Sequence, residues 1–293
     1  MKNSYNNFFK TTDGEQIFYT TNFKPGDVKK HVLVFNYGLV CSNYHWKHQI
    51  EYFSAKGYSI LLHDYRGHYQ SSGSHNINNI TINQIAKDLA QLIEYLELSE
   101  CVLFGHSMGV NVSLEYAKLH QAKIKSMILI SGTILPVHNV LMNTNFTAAI
   151  KPFILKLLEK YPNEVELFWK FGGWNPILKK IIHLGGFNVD QVSNEFIEVY
   201  LNKIGQLGPD LFFQLIGQMH EHNIMSFISA IDTKSLIIGG NKDKVIPNYV
   251  QRLMHEKLIN SELYVIHAGS HVPQVDFPNE FNERVEFFIE SNL

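Results

Sequence analysis

Arginine is nearly missing from this chain: Arg66, Arg252 and Arg284 are the whole supply, and lysine carries the remaining positive charge. Arginine is the usual bidentate clamp for carboxylate and phosphate groups, so its scarcity turns the expected substrate toward neutral or largely apolar compounds. A net charge of −2 supplies no basic surface for nucleic acid or anionic membrane, and neither is expected as a partner. No run of about 18 apolar residues occurs, which argues against a membrane span. The opening MKNSYNNFFKTTDG lacks the apolar stretch of a signal peptide. Cysteine is as scarce, with only Cys41 and Cys101. They fall near opposite ends of neighbouring strands in the reading below, beyond the roughly 7 Å Cα separation that a disulfide tolerates. The expectation is a reduced, cytoplasmic protein in which Cys41 is a buried, inert thiol.

What is present is enough apolar material for a substantial core. Hydrophobic residues make up 45% and charged residues 18% of 293, which suits one large domain or a core with an insertion. Apolar strand-like runs alternate with amphipathic stretches, the pattern of an α/β fold with a mostly parallel sheet between helices. The start reads as a hairpin, residues 8–10 and 17–23 around Asp13-Gly14. Strands are expected over 32–36, 59–64, 101–105, 124–130, 235–238 and 263–267. Helices are expected over 44–56, 82–96, the stretch after Ser107, 247–259 and 280–289.

Between residues 133 and 222 the rhythm changes. No strand is legible there, and helical segments are broken by Pro152, Pro162, Pro176 and Pro209. Large apolar groups are frequent. The segment reads as a helical cap inserted late into a core made of residues 1–132 and 223–293. Cap helices need cores of their own, yet acyl pockets are mostly apolar, so some of Trp169, Trp174 and Phe213 are expected to face a cleft.

The most informative stretch is CVLFGHSMGVNVSLEYA, residues 101–117. A serine hydroxyl is a poor nucleophile unless a base takes its proton and the oxygen is held in the open. A strand-to-helix turn tight enough to do this needs very small flanking residues, which Gly105 and Gly109 supply. A glycine-bounded serine alone is a weak signal. The buried strand before it and the amphipathic helix after it make Ser107 the nucleophile candidate.

Among 15 histidines, His271 stands out because it follows the last strand and reaches the sheet edge that carries Ser107. Asp243 follows the preceding strand at that edge, 28 residues before His271, and suits the carboxylate that fixes an imidazole tautomer. Asp232 falls at the wrong edge, and Asp276 reads as a cap for the final helix. His106 reads as a structural neighbour of the serine, and Asp64 with Arg66 as an ion pair. His220 and His222 are two apart and do not share a helical face; His45 and His48 do, without a carboxylate partner, so no metal is expected.

With these residues in place the chain resembles the α/β-hydrolase fold family, specifically the small esterase- and lipase-like serine hydrolases with a helical cap. The likeness rests on VLVFNYG, HDYRGHYQSSG, LFGHSMG, LIIGGNKDKVIP and HAGSHVPQVDFPNEFNERVEFFI, which cover the core in the family's order. It implies Ser107 as nucleophile, His271 as base and Asp243 as acid, with no cofactor. It also implies an oxyanion hole built from the Met108 and Leu39 backbone N–H groups. Two positions depart from the family's pattern: Tyr37 stands where His precedes Gly38, placing a phenol by the pocket, and Tyr69 stands where glycine is usual.

The expected activity is cleavage of a carboxylic ester of a small to medium, largely apolar substrate through an acyl-enzyme. The same three residues also suit a thioesterase, a lactonase, a perhydrolase or a carbon–carbon bond hydrolase. A small-molecule sensor of this fold is the reading from another class. Members that open epoxides or carbon–halogen bonds use an aspartate nucleophile, which Ser107 argues against.

Overall fold

The structure, a computed structural model, describes residues 4–28, 30–39, 41–71, 76–136, 160, 161, 164, 167, 169, 170, 188 and 191–292. The mostly apolar runs of the sequence become strands that are buried on both faces apart from the partly exposed Lys125. These are β3 (Val32–Asn36), β4 (Ser59–His63), β5 (Cys101–His106) and β6 (Ile124–Ile130), followed later by β7 (Ser235–Gly240). Burial on both sides is what a parallel sheet sandwiched by helices demands. The outer strands β1 (Tyr5–Lys10), β2 (Gln16–Thr21) and β8 (Ser261–Ile266) carry more exposed residues.

Among the described residues the sheet has eight strands in the order β1-β2-β4-β3-β5-β6-β7-β8. β1 pairs antiparallel with β2, and β2 antiparallel with β4; the remaining pairs are parallel. The chain runs from β3 outward to β4, then returns to the other side of β3 as β5. That reversal makes the carboxyl ends of β3 and β5 a topological switch point, where open α/β sheets form a crevice.

The helices are α1 (Lys47–Ala55), α2 (Ile82–Tyr95), α3 (Met108–His120), α4 (Asn194–Gln206), α5 (Pro209–Glu221), α6 (Asn248–Lys257), α7 (Pro273–Asp276) and α8 (Pro278–Asn292). α2 starts where Thr81 accepts from Gln84 N, and it buries Ile85, Leu89 and Leu92 on one face. The stretch expected as one helix over 44–56 is split: residues Asn43–Trp46 form a 3₁₀ turn before α1.

Of segment 133–222, the described part holds α4 and α5 and no strand. Leu211, Leu215 and Met219 of α5 join the main core, while α4 packs Phe196, Ile197 and Leu201 with Val272 and Val275 in a second cluster. Much of the segment read as a cap, including Trp174, lies outside the described residues.

Asp64 and Arg66 do not pair with each other. The buried Arg66 guanidinium is gripped by Asp88 (Nε to Oδ2, 2.6 Å; Nη2 to Oδ1, 2.5 Å) and reaches Asp13 at 3.0 Å. Asp64 accepts from Asn43 Nδ2 and Gln70 N, and burial pushes its carboxyl up to about 6. Sequence proximity suggested the pair; in space the loop after β4 turns the two side chains to different neighbours.

Candidate active site

β5 ends at His106 and α3 begins at Met108, which leaves Ser107 alone to make the turn. Its backbone sits at φ 53°, ψ −118°, a region L-residues rarely occupy. Close packing holds it there. A Cβ on Gly109 would lie 2.0 Å from Asn36 O, and one on Gly105 would lie 2.6 Å from Gly109 O. No side chain fits at either position, so both glycines are required by contact as well as by the turn.

Beneath the turn runs a buried polar chain that sequence reasoning missed. His63 Nε2 donates to Asn36 Oδ1 (2.9 Å), Asn36 Nδ2 donates to Ser113 Oγ (3.0 Å), and Ser113 Oγ donates to Gly109 O (2.9 Å). These bonds pin the end of β3 to the first turn of α3. Burial pulls the His63 imidazole down to about 3, so it stays neutral and can serve as a fixed donor. The available signal was polar residues at the margins of apolar runs, Asn36 after VLVF and Ser113 within an apolar helix.

The loops after β7 and β8 bring Asp243 and His271 together. His271 Nδ1 donates to Asp243 Oδ2 at 3.0 Å, while Asp243 Oδ1 accepts from Val245 N (2.8 Å) and Ile246 N (2.9 Å). The carboxylate side chain is 1% exposed and the imidazole 12%. With Nδ1–H committed to a carboxylate, the neutral ring presents an unprotonated Nε2. Among the described residues no hydrogen bond joins Ser107 Oγ to His271; ligand-free sites of this kind are commonly looser than their reacting complexes.

His106 ties the two loops. Its Nε2–H donates to His271 O at 2.8 Å, and the ring centroids lie 5.0 Å apart. Burial, reinforced by the neighbouring His271, holds His106 well below the usual histidine range. It is a neutral strut. Asp276 is not the helix cap expected from sequence: it lies in α7 and accepts from Ser270 N at 2.5 Å, bracing the residue before His271. Burial pushes its carboxyl up to about 6.

Neither Met108 N–H nor Leu39 N–H enters a backbone hydrogen bond among the described residues. Met108 opens α3, where such groups are unpaired by construction. Gly38 is packed so closely that a Cβ there would lie 3.0 Å from Ser107 Cβ. Tyr37 is fully buried: its hydroxyl accepts from Tyr65 N at 2.9 Å, and its ring packs against Tyr65 with centroids 4.2 Å apart and planes tilted by 36°. Its phenol belongs to the wall of the loop. Trp169 donates through Nε1 to Ile204 O and Leu207 O, lies 6.3 Å from the Phe213 ring, and borders a cavity of about 550 Å³ with Asn202 and Gln206.

His222 Nε2 donates to Glu115 Oε1 (3.0 Å), and its Nδ1 accepts from Asn111 (2.9 Å). Among the described residues no group of three or more His, Cys, Asp or Glu could hold a metal ion. Nor is any of their helices long and apolar enough to cross a membrane.

Comparison with known proteins bears on this arrangement. The family model described as serine aminopeptidase, S33 (Hydrolase_4) matches residues 27–276. The uncharacterized hydrolase YugF of Bacillus subtilis is 23% identical over 95% of this chain and 96% of its own. The esterase EaEST from Exiguobacterium antarcticum superposes with a TM-score of 0.77 at 19% identity, covering 98% of this chain and all of its own. Est816, solved as an N-acyl homoserine lactone degrading enzyme, gives a TM-score of 0.75 at 19% identity, over 95% and 99% of the two chains. The turn at Ser107, the switch-point crevice and the extent of the family match lead to one conclusion: this chain is an α/β hydrolase of the serine aminopeptidase S33 family.

Proposed function

We propose that this protein is a serine hydrolase that cleaves a carboxylic ester of a small to medium, largely apolar substrate through an acyl-enzyme. The observation that carries the reading is the placement of Ser107, alone on a forced turn, at the sheet edge where His271 is held by Asp243. In the reaction, His271 Nε2 takes the Ser107 Oγ proton as the oxygen attacks the acyl carbonyl. The tetrahedral oxyanion rests on the Met108 and Leu39 N–H groups, each such donor being worth about 3 kcal/mol. Collapse expels the alcohol, which receives the proton from His271. Water, activated by the same nitrogen, then attacks the acyl-serine and releases the acid. Asp243 keeps Nδ1 protonated throughout and steadies the imidazolium.

A fluorophosphonate probe should label the wild-type protein and leave Ser107→Ala unlabelled. Turnover of p-nitrophenyl esters of graded acyl length then measures the preferred acyl group. A folded wild type that takes no label overturns the nucleophile assignment. Cleavage of a thioester, a lactone or a vinylogous diketone with the ester series inert reassigns the bond and keeps the residues.

A further inference from the structure

The oxyanion loop is held in an unusual way, by tyrosine hydroxyls on its carbonyls. Tyr65 OH donates to Tyr37 O at 2.8 Å, and Tyr65 N donates back to Tyr37 OH at 2.9 Å. Tyr69 OH donates to Cys41 O at 2.7 Å. Between these anchors Cys41 N donates to Gly38 O at 3.1 Å. Each bond orients a peptide plane. In a trans peptide the carbonyl of one residue and the N–H of the next point to opposite sides of one rigid plane. Turning Gly38 O toward Cys41 N therefore aims Leu39 N–H the other way. The planes on either side of this turn are fixed by Tyr65 and Tyr69.

Burial pushes all three phenols far above their ordinary range, so they stay neutral: Tyr65 and Tyr69 as donors, and Tyr37 as the acceptor for Tyr65 N. Tyr69 also holds its place with a backbone at φ 43°, in the left-handed region that favours glycine. A non-glycine residue kept in that region needs compensating contacts, and the Tyr69 hydroxyl has a partner within the oxyanion loop.

We propose that Tyr65 and Tyr69 are positioning residues that, with Tyr37, set the direction of the Leu39 N–H as an oxyanion donor. The inference rests on the serine-hydrolase reading and adds residues to it: neither tyrosine touches substrate, and both act through the loop. Positioning errors of about 1 Å cost on the order of 10²-fold in rate, and the effect falls on the transition state.

The test uses Tyr69→Phe and Tyr65→Phe with p-nitrophenyl butyrate as substrate and phenylboronic acid as the tetrahedral probe. Tyr52→Phe serves as control, since Tyr52 OH donates to Glu286 at 2.7 Å on α1. In each tyrosine variant of the loop, kcat should fall about 10- to 100-fold with KM within about threefold. Boronate affinity should fall by a similar factor, with Tm close to wild type for Tyr69→Phe. If buried Tyr65→Phe fails to fold, half-buried Tyr69→Phe carries the test. An active wild type with unchanged kcat in Tyr69→Phe overturns the clamp alone. So does a fall in kcat that Tyr52→Phe reproduces. A wild type that neither hydrolyses esters nor binds boronate overturns the hydrolase reading and the clamp with it.

Discussion

The two oxygens of Asp243 have separate tasks: Oδ1 is held by the Val245 and Ile246 N–H groups, and Oδ2 holds His271. Asp243→Asn keeps the shape but can offer an N–H to Nδ1, which selects the wrong imidazole tautomer. We expect kcat to fall on the order of 10⁴-fold with little change in Tm, measured by ester hydrolysis and thermal melting. Asp276 makes a prediction about pH. Burial raises its folded-state pKa from 3.8 to about 6, so between these values the folded chain holds a proton that the unfolded chain releases. Its contribution to stability is therefore present at low pH and is lost as pH rises through about 6. Among the described residues Asp276 Oδ1 has no hydrogen-bond partner, so an amide can replace the acid there. The gain in urea midpoint of Asp276→Asn over wild type should be largest at pH 8 and shrink toward pH 4.5. A constant difference across that range would remove Asp276 from the titration. Ser107, His271 and Asp243 could be put forward as candidates from sequence because each follows a recognisable strand. Asp276 was misread because its partner, Ser270 N, becomes adjacent only when the α7 turn folds back.

At the scale of elements, Arg66 joins three pieces of chain: the loop after β4, helix α2 through Asp88, and the β1–β2 turn through Asp13. Its side chain is fully buried, so among the described residues removing Asp88 leaves the guanidinium paired only with the half-exposed Asp13. Asp88→Ala should cost about 3–5 kcal/mol in urea unfolding, whereas Asp13→Ala should cost well under half as much. Equal losses would show that the two carboxylates share the burden. Strands were the most legible elements, since a run such as Val102-Leu103-Phe104 has no face that could meet water. The break between Asn43–Trp46 and α1 was not legible, because apolar spacing barely separates i+3 from i+4 hydrogen bonding over one turn. The roles of Tyr65 and Tyr69 were hidden for a different reason. Their hydroxyls bond to carbonyls 28 residues away, and no local pattern encodes such a pairing.

For the whole molecule, the same burial that builds the main core silences both thiols. Cys41 and Cys101 are free and buried, and burial pushes the Cys101 thiol up to about 12 and Cys41 higher still. Neither should react with an aromatic disulfide reagent in the native state, and both should react on unfolding in urea. Rapid labelling of one thiol without urea would show that its loop opens on its own.

Asn111, on the helix that starts after the turn at Ser107, donates through one nitrogen to Thr133 O (3.0 Å) and to His222 Nδ1 (2.9 Å). The two ends of segment 133–222 thus meet at a single side chain. If the segment is an exchangeable insertion, these two bonds mark where a homologous one of different length should be spliced, with folding checked by thermal melting. Outright deletion would strip Leu211, Leu215 and Met219 from the core, so exchange should succeed where excision fails. Such a chimera should be judged first at the His271–Asp243 bond, because α4 packs Phe196, Ile197 and Leu201 against Val272 and Val275, the residues that follow His271.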